Sequence, residues 1–236
     1  MRAMKTILPT AVFCLLVGVV CAQEKAVPVG EESHHQLVLE NEYTRVFHVV
    51  LAPKASTLMH QHDRDYVYVM IGSSQVDVVK PGVAPTQMKL NDGDVKFTKA
   101  PLTHKVTNTG EKPFVNLTIE VKKASTKSVC GASWAGVQAE TGCGEGGGIN
   151  GGDSFVDAQD LATDAVAADT LTVSAPYVVG DSDRQPTLLV ALTAVKAGVT
   201  GKQMKPGDTL WIAASSKVSV ASNQAGPAKF VLVKFR

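Results

Sequence analysis

The order of hydrophobic and polar residues along the chain predicts short β-strands separated by turns. Between residues 37 and 122, segments rich in Val, Ile and aromatic residues alternate with polar positions, and turn-forming Gly, Pro, Asn and Asp residues divide them. Strands are predicted at Tyr43–Leu51, Thr57–His62, Asp65–Ile71, Gln75–Lys80, Val95–Thr98, Lys105–Asn108 and Phe114–Lys122. So many strands in about 85 residues favour a closed barrel or a sandwich.

The β pattern returns near the C-terminus after a change in composition. Seven of the eleven residues from 142 to 152 are glycine, so residues 124–168 are predicted to form a Gly-rich linker. Further strands are predicted at Leu171–Ser174, Thr187–Ala194, Thr209–Ala213, Lys217–Ser222 and Lys229–Phe235. The later segment Gln203-Met204-Lys205, Pro206-Gly207-Asp208 and Trp211 repeats the order of Gln87-Met88-Lys89, Asn91-Asp92-Gly93-Asp94 and Phe97. This repeat indicates an internal duplication.

The first residues have the features of an export signal. Arg2 and Lys5 precede an apolar run, and Val20-Cys21-Ala22 offers a cleavage site, so residues 1–22 are predicted to be a signal peptide. The alternative is a membrane anchor, but a run of about 14 apolar residues is shorter than the roughly 20 that a spanning helix needs. The expected mature chain is therefore secreted or periplasmic, begins at Gln23 and has no membrane span.

The balance of charged residues limits the kinds of partner that the protein can bind. The chain has 23 Lys and Arg against 22 Asp and Glu, which gives no basic excess for a nucleic-acid backbone, so no nucleic-acid partner is expected. A small-molecule ligand or substrate is expected instead, and a homo-oligomer stays open.

Signal removal leaves two of the four cysteines, Cys130 and Cys143, which are expected to form a disulfide in an oxidising compartment. A metal pair is the alternative, although no histidine follows His104.

Three of the histidines are candidate metal ligands. His60 and His62 are two residues apart, which on a strand places both imidazoles on one face of the sheet. His104 follows a turn and a predicted strand, so it can return to the same interior. Three neutral imidazoles bind one divalent ion of Fe, Mn, Ni, Cu or Zn and leave positions open for water, oxygen or substrate. A hydrogen-bonded or surface pair is the alternative. The remaining histidines are placed outside the site: His34 and His35 in an exposed N-terminal segment, and His48 on a barrel strand.

These histidines and the turns beside them resemble the two sequence motifs of the cupin superfamily. The residues that carry the resemblance are Pro53-Lys54-Ala55, His60-Gln61-His62-Asp63-Arg64-Asp65, Gly93-Asp94, Pro101, His104 and Asn108. The spans from Gly93 to His104 and from His104 to Asn108 equal those of the family's second motif. The resemblance covers about residues 43–122 and implies a small double-stranded β-helix barrel with the metal inside.

The chain also departs from the family pattern. Lys54 stands where the first motif has glycine, Pro101 is displaced, and no glutamate follows His62 at the usual distance. Counted back from Gly72, Asp65 takes the place of that carboxylate and is a candidate fourth ligand; otherwise it is a solvent-facing or hydrogen-bonded strand residue. Without it, the site resembles the three-histidine type of the thiol dioxygenases in this superfamily. Two residues are expected to support the ligands, Tyr66 and Asn108.

Together with the duplication, the resemblance implies an all-β bicupin with two double-stranded β-helix barrels. Residues 33–123 are expected to form the metal-binding barrel and residues 169–236 a smaller, degenerate one. Alignment from Gly207 puts Val218 opposite His104, and residues 169–236 contain no histidine, so the second barrel is expected to hold no metal. Two functions stay open: an exported, metal-dependent, oxygen-using oxidoreductase of the dioxygenase type acting on a small molecule, or a non-catalytic small-ligand-binding or structural module.

Overall fold

A computed structural model of the chain describes residues 24–132, 143, 155–180, 184–198 and 201–236. The predicted signal peptide, residues 1–22, and most of the Gly-rich stretch lie outside these residues. Within them, helical structure is confined to one 3-10 turn, Val29–Glu31. No helix in this part of the chain has the length and hydrophobicity needed to cross a membrane.

Two five-stranded sheets form the N-terminal barrel. Its strands are β1 (Val27–Pro28), β2 (His35–Glu40), β3 (Thr44–Leu51), β4 (His60–His62), β5 (Tyr66–Met70), β6 (Ser74–Val79), β7 (Thr86–Leu90), β8 (Val95–Thr98), β9 (Leu102–Asn108) and β10 (Phe114–Val121). The sheet orders are β2-β3-β10-β5-β8 and β1-β4-β9-β6-β7. Side chains from both sheets, among them Phe47, Leu51, Val76 and Val106, pack into one apolar core.

A six-stranded and a four-stranded sheet form the C-terminal barrel. Its strands are β11 (Ser128–Cys130), β12 (Phe155–Thr163), β13 (Val166–Val173), β14 (Tyr177–Val179), β15 (Thr187–Ala191), β16 (Val195–Ala197), β17 (Lys202–Met204), β18 (Thr209–Ile212), β19 (Val218–Ser222) and β20 (Ala228–Phe235). The sheet orders are β11-β12-β13-β20-β15-β18 and β14-β19-β16-β17. The predicted all-β fold of two barrels is confirmed.

The two barrels repeat the same strand order. The sheet β2-β3-β10-β5-β8 corresponds to β12-β13-β20-β15-β18, and β4-β9-β6-β7 corresponds to β14-β19-β16-β17. The repeated sequence segment forms the same turn in each barrel. Gly93 and Gly207 have positive φ values of 79° and 87°, and the following Asp94 and Asp208 accept a hydrogen bond from the backbone N–H three residues earlier, at 2.8 Å and 2.9 Å. The structure therefore supports the inferred duplication.

The largest difference from the sequence expectation concerns residues 124–168. This segment was expected to be a linker, but β11, β12 and the start of β13 lie within it and belong to the large sheet of the C-terminal barrel. The second barrel therefore begins well before residue 169. Small residues obscure this in the sequence, because Ala162, Ala167 and Ala168 fill buried strand positions where larger apolar side chains give a clearer signal.

The barrels pack against each other through a shared apolar core. Val69, Leu117 and Ile119 of the N-terminal barrel belong to the same buried cluster as Leu188 and Val233 of the C-terminal barrel. All five residues are fully buried. The outer face of each large sheet is therefore covered by the other barrel, and on β10 this face carries the apolar Leu117 and Ile119.

The predicted disulfide is present between Cys130 and Cys143, which are 13 residues apart. Cys130 ends β11 and is buried beside Ala162 and Ala167. The bond therefore fastens Cys143 to the edge strand of the large C-terminal sheet.

Candidate metal centre

The paired histidines lie on one short strand inside the N-terminal barrel. His60 and His62 occupy the first and last positions of β4, with exposed fractions of 0% and 1%. Strand β4 pairs antiparallel with β9, and this register places His104 directly opposite His60. The ring centroid of His60 lies 5.0 Å from that of His62 and 4.5 Å from that of His104. The three histidines selected from the sequence therefore lie in one buried cluster.

A fourth imidazole, that of His35, belongs to the same cluster. His35 begins β2 and is buried, and its ring centroid lies 4.7 Å from that of His60 and 5.8 Å from that of His62. One ring nitrogen from each of these three residues lies within 4.8 Å of the others. The prediction that His35 is in an exposed segment is therefore wrong. The adjacent His34 is partly exposed, with 33% of its side-chain surface accessible.

Hydrogen bonds fix which nitrogen of His35 and His60 faces the cluster. Nδ1 of His35 lies 2.7 Å from Oε2 of Glu32, and Nδ1 of His60 lies 2.9 Å from the carbonyl oxygen of Leu58. An ionised carboxylate and a carbonyl only accept hydrogen bonds, so Nδ1 carries the proton in both rings. Nε2 is therefore the nitrogen that each ring turns towards the cluster, which is the orientation in which an imidazole binds a metal through Nε2.

A buried carboxylate on β10 faces the ring of His62. Its Nδ1 lies 3.6 Å from Oε1 of Glu120, and neither atom has a hydrogen-bond partner among the described residues. Oε2 of Glu120 accepts hydrogen bonds from Nε and Nη2 of Arg45 at 2.9 Å and 2.6 Å. Burial alone would raise the pKa of Glu120, but His62 and Arg45 together lower it, so the carboxylate is ionised. Glu120 was not selected from the sequence.

Three imidazoles of the cluster are neutral, which is the form that binds a metal cation. Burial, followed by the nearby imidazole of His35, lowers the pKa of His60 from 6.5 to about 4. Burial likewise lowers the pKa of His62, and it lowers that of His104 well below its usual value. These rings are therefore neutral at pH 7 and their lone pairs are available without loss of a proton.

The structure does not bring Asp65 into the cluster. Its carboxylate is 2% exposed and accepts hydrogen bonds from Nζ of Lys99 at 2.9 Å, the N–H of Ala100 at 2.9 Å and the N–H of Ser125 at 2.7 Å. These three donors occupy both carboxylate oxygens. Asp65 therefore holds two loops and a lysine in place, and of its two predicted roles the structure shows the hydrogen-bonded one.

The two residues expected to support the ligands have different surroundings. The ring centroid of Tyr66 lies 4.4 Å from that of His62, and burial raises the pKa of its hydroxyl well above the usual value, so it stays protonated. The side-chain amide of Asn108 instead donates to the carbonyls of Leu51 and Lys112 at 3.0 Å and 2.8 Å. Tyr66 packs against the cluster, whereas Asn108 fixes the connection between β9 and β10.

The cluster opens onto a cavity of about 630 Å³ inside the N-terminal barrel. The four histidines line it together with apolar side chains, among them Val49, Val76, Leu102 and Phe114. Three exposed lysines, Lys80, Lys89 and Lys96, also contribute to its lining. A cavity of this size holds a small molecule beside the imidazoles.

The residues present fit a bound transition metal ion. Nε2 of His60 is buried and has no hydrogen-bond partner within the described part of the chain. A buried nitrogen without a partner costs free energy, and a metal ion on the lone pairs of the cluster removes that cost. Neutral imidazoles suit Zn, Cu, Fe and Ni, so the donor set selects a transition metal over Ca²⁺ or Mg²⁺.

No family model matches the sequence, and no curated protein is similar to it. Solved structures do match. Salicylate 1,2-dioxygenase from Pseudoaminobacter salicylatoxidans is 10% identical, the match covers 82% of this chain and 71% of that one, and the TM-score is 0.56. Oxalate decarboxylase from Bacillus subtilis, in the structure concerned with its Mn(II) centres, is 14% identical over 83% of this chain and 69% of that one, with a TM-score of 0.54. A cupin domain from Bordetella pertussis Tohama I is 23% identical over 43% of this chain and 100% of its own, with a TM-score of 0.37.

At these identities the similarity shows the fold. The dioxygenase and decarboxylase matches support the cupin fold that the sequence motifs imply. The chemistry of the site has to be argued from its own residues.

Proposed function

We propose that this protein is an exported bicupin whose N-terminal barrel binds one divalent transition metal ion. His60, His62 and His104 are the proposed ligands, with His35 as a fourth in place of Asp65. The observation that supports the proposal is the buried Nε2 of His60, which has no hydrogen-bond partner among the described residues. The hydrogen bond from Nδ1 to the carbonyl of Leu58 turns this Nε2 towards the other imidazoles of the cluster. The C-terminal barrel has no histidine to offer and is proposed to be structural.

The activity that this centre supports best is an oxygen-using oxidation of a small molecule. A bound Fe, Mn or Cu ion would supply Lewis acidity and one-electron chemistry. The ligands add no negative charge, so the ion's full positive charge would attract an anionic substrate group. Glu120 faces the His62 ring at 3.6 Å, and Arg45 helps to keep Glu120 ionised.

The cavity supports a substrate with an apolar body and a negatively charged group. Its walls are mostly apolar, and Lys80, Lys89 and Lys96 outnumber the one acidic residue of its lining, Asp94. Two proteins of the same fold are named for reactions on carboxylates, salicylate and oxalate. We therefore propose a small organic acid as the substrate class.

The test is metal analysis followed by oxygen uptake. Full-length mature protein purified without a histidine tag is expected to hold one transition metal ion per chain. After loading with Fe(II), Mn(II), Ni(II) or Cu(II), oxygen consumption is measured against a panel of small carboxylic acids, phenols, thiols and diketones. We expect turnover with at least one acid, and no turnover in His60→Ala. His48→Ala is the matched control, because His48 is a half-buried histidine on β3 outside the cluster.

The competing function, a non-catalytic binding module, predicts a different result. A ligand would then raise the melting temperature of His60→Ala as much as that of the wild type, with no oxygen uptake under any metal. That outcome would refute the oxidoreductase proposal.

A further inference from the structure

Glu32 is a buried carboxylate that contacts the histidine cluster from the N-terminal segment. It is 2% exposed, and Oε2 accepts hydrogen bonds from Nδ1 of His35 at 2.7 Å and from the N–H of His34 at 2.9 Å. Oε1 accepts from Nδ1 of His34 at 3.0 Å and from the N–H of Leu58 at 3.2 Å. Four donors therefore surround one carboxylate.

We propose that Glu32 is a positioning residue for the metal centre: it holds His35 in the Nδ1-protonated tautomer and aims its Nε2 at the ion. The inference rests on the proposed metal centre, to which it adds a residue that is not itself a ligand. A carboxylate that accepts from the outer nitrogen of a ligating imidazole fixes the ring's tautomer and orientation and raises its basicity.

The surroundings of Glu32 explain how a polar N-terminal segment reaches the barrel interior. Val29 is buried in the core of the N-terminal barrel, and β1 pairs parallel with β4, with Val27 opposite His60. The 3-10 turn Val29–Glu31 then directs the side chain of Glu32 inward. Burial would raise the pKa of Glu32, but the hydrogen bonds from His35, His34 and Leu58 lower it to about 2, so the carboxylate is charged at neutral pH.

The same carboxylate also reaches the strand that carries His60. It accepts the N–H of Leu58, and the carbonyl of Leu58 accepts Nδ1 of His60. Glu32 therefore ties β2 to the segment that leads into β4, and its removal would loosen His35 most, because the 2.7 Å hydrogen bond to that ring is the shortest of the four.

The test compares Glu32→Gln with Glu31→Gln in the full mature chain. Glu31 is the adjacent carboxylate and is exposed, so it is a matched control. Metal affinity is measured by competition with a chelator, and the His35 tautomer is read from long-range ¹H–¹⁵N NMR spectra of the metal-free protein. Glu32→Gln is expected to weaken metal binding by about 10- to 100-fold and to increase the Nε2-protonated form of His35, whereas Glu31→Gln changes neither.

A double variant separates positioning from general structure. In a His35→Ala background, Glu32→Gln is expected to weaken metal binding much less than it does in the wild type, because the ring on which it acts is gone. An equal loss in both backgrounds would overturn the proposal. If Glu32→Gln does not fold, the ¹H–¹⁵N NMR spectrum of the metal-free wild type tests the role of Glu32 instead. A His35 ring that carries its proton on Nε2 in that spectrum would contradict the proposed role.

His60→Ala distinguishes failure of this inference from failure of the proposed function. If His60→Ala keeps its metal, the proposed centre itself is wrong. If His60→Ala loses metal while Glu32→Gln binds with wild-type affinity, only the role of Glu32 is refuted.

Discussion

Replacement of Asp65 by alanine tests whether this buried carboxylate serves the fold or the metal. The change removes the acceptor for the N–H groups of Ala100 and Ser125 and for Nζ of Lys99. Because none of the three donors belongs to the histidine cluster, we expect Asp65→Ala to destabilise the protein and to leave its metal content unchanged.

The size of the effect follows from which donors lose their partner. Each buried backbone N–H left without an acceptor costs about 1–3 kcal/mol. Lys99 contributes less, because its Nζ also donates to the carbonyl of Ser125 at 2.6 Å and 28% of its side-chain surface is accessible to water. Because the Ser125 N–H is buried and the Ala100 N–H is partly buried, we expect Asp65→Ala to lower the free energy of unfolding by about 3 kcal/mol, which shifts the urea midpoint by about 1 M for an m-value of about 3 kcal/mol/M.

The assay is urea unfolding of metal-free protein, with metal stoichiometry measured on the folded, loaded variant. Asp63→Ala is the control, because Asp63 is an exposed carboxylate two residues away and its loss is expected to cost about 0.5 kcal/mol or less. Asp65→Asn keeps one acceptor oxygen and is expected to fall between the two. An Asp65→Ala protein with a wild-type midpoint but without metal would refute this reasoning and restore Asp65 as a ligand.

Further predictions concern the imidazoles, pH, the disulfide and export. His60→Ala and His104→Ala are each expected to lose stoichiometric metal in elemental analysis, and full retention in His104→Ala would contradict its role as a ligand. In metal-free protein the pKa of His60 is lowered from 6.5 to about 4, so the unfolded state binds more protons in this range. The free energy of unfolding should then fall by up to about 3 kcal/mol as the pH drops from 6.5 through 4; a urea midpoint that does not change between these values would contradict it. Reduction of the Cys130–Cys143 bond is expected to cost about 3 kcal/mol, as for a loop of about 15 residues, and two titratable thiols in the native, non-reduced protein would show that the bond is absent. Exported protein is expected to begin at Gln23, and an intact mass that includes residues 1–22 would show that the signal is retained.

The part of the site that could be predicted from sequence depends on strand geometry. His60 and His62 share a face because side chains alternate along a strand, and His104 could be placed by its distance from the Gly93 turn. The first relation is local in sequence, whereas the structure shows that the second depends on a long-range pairing of β4 with β9, in which His60 and His104 are direct cross-strand partners.

His35 could not be predicted in the same way. Its neighbours Ser33, His34 and Gln36 are polar, which is typical of an exposed segment. Its burial depends on Glu32, whose charge is stabilised only after the chain has folded and Leu58 has come within hydrogen-bond distance. A buried carboxylate and a buried imidazole that are hydrogen-bonded to each other leave no periodic hydrophobic signal.

Counting back from Gly72 made Asp65 a candidate ligand because residue counting ignores which face a side chain occupies. Neighbouring residues in an extended segment point to opposite faces. Tyr66, the next residue, lines the cavity beside His62, so Asp65 points away from it towards Lys99 and Ser125. Alternation along the strand, applied from Tyr66, would have separated Asp65 from the histidines.

The C-terminal barrel has the same strand order as the N-terminal barrel but contains no histidine. Strand β14 takes the place of β4 and pairs with β19 so that Val179 lies opposite Val218. Strands β18 and β20 follow β8 and β10 at one constant spacing, since Thr209 and Ala228 stand where the N-terminal barrel has Val95 and Phe114. Val218 therefore takes the place of His104, as the alignment from Gly207 predicts, and Val179 takes the place of its partner His60. The C-terminal barrel is well packed without histidines, and its large sheet covers that of the N-terminal barrel in a shared core. It thereby buries the outer face of the sheet that carries Glu120, the carboxylate facing His62.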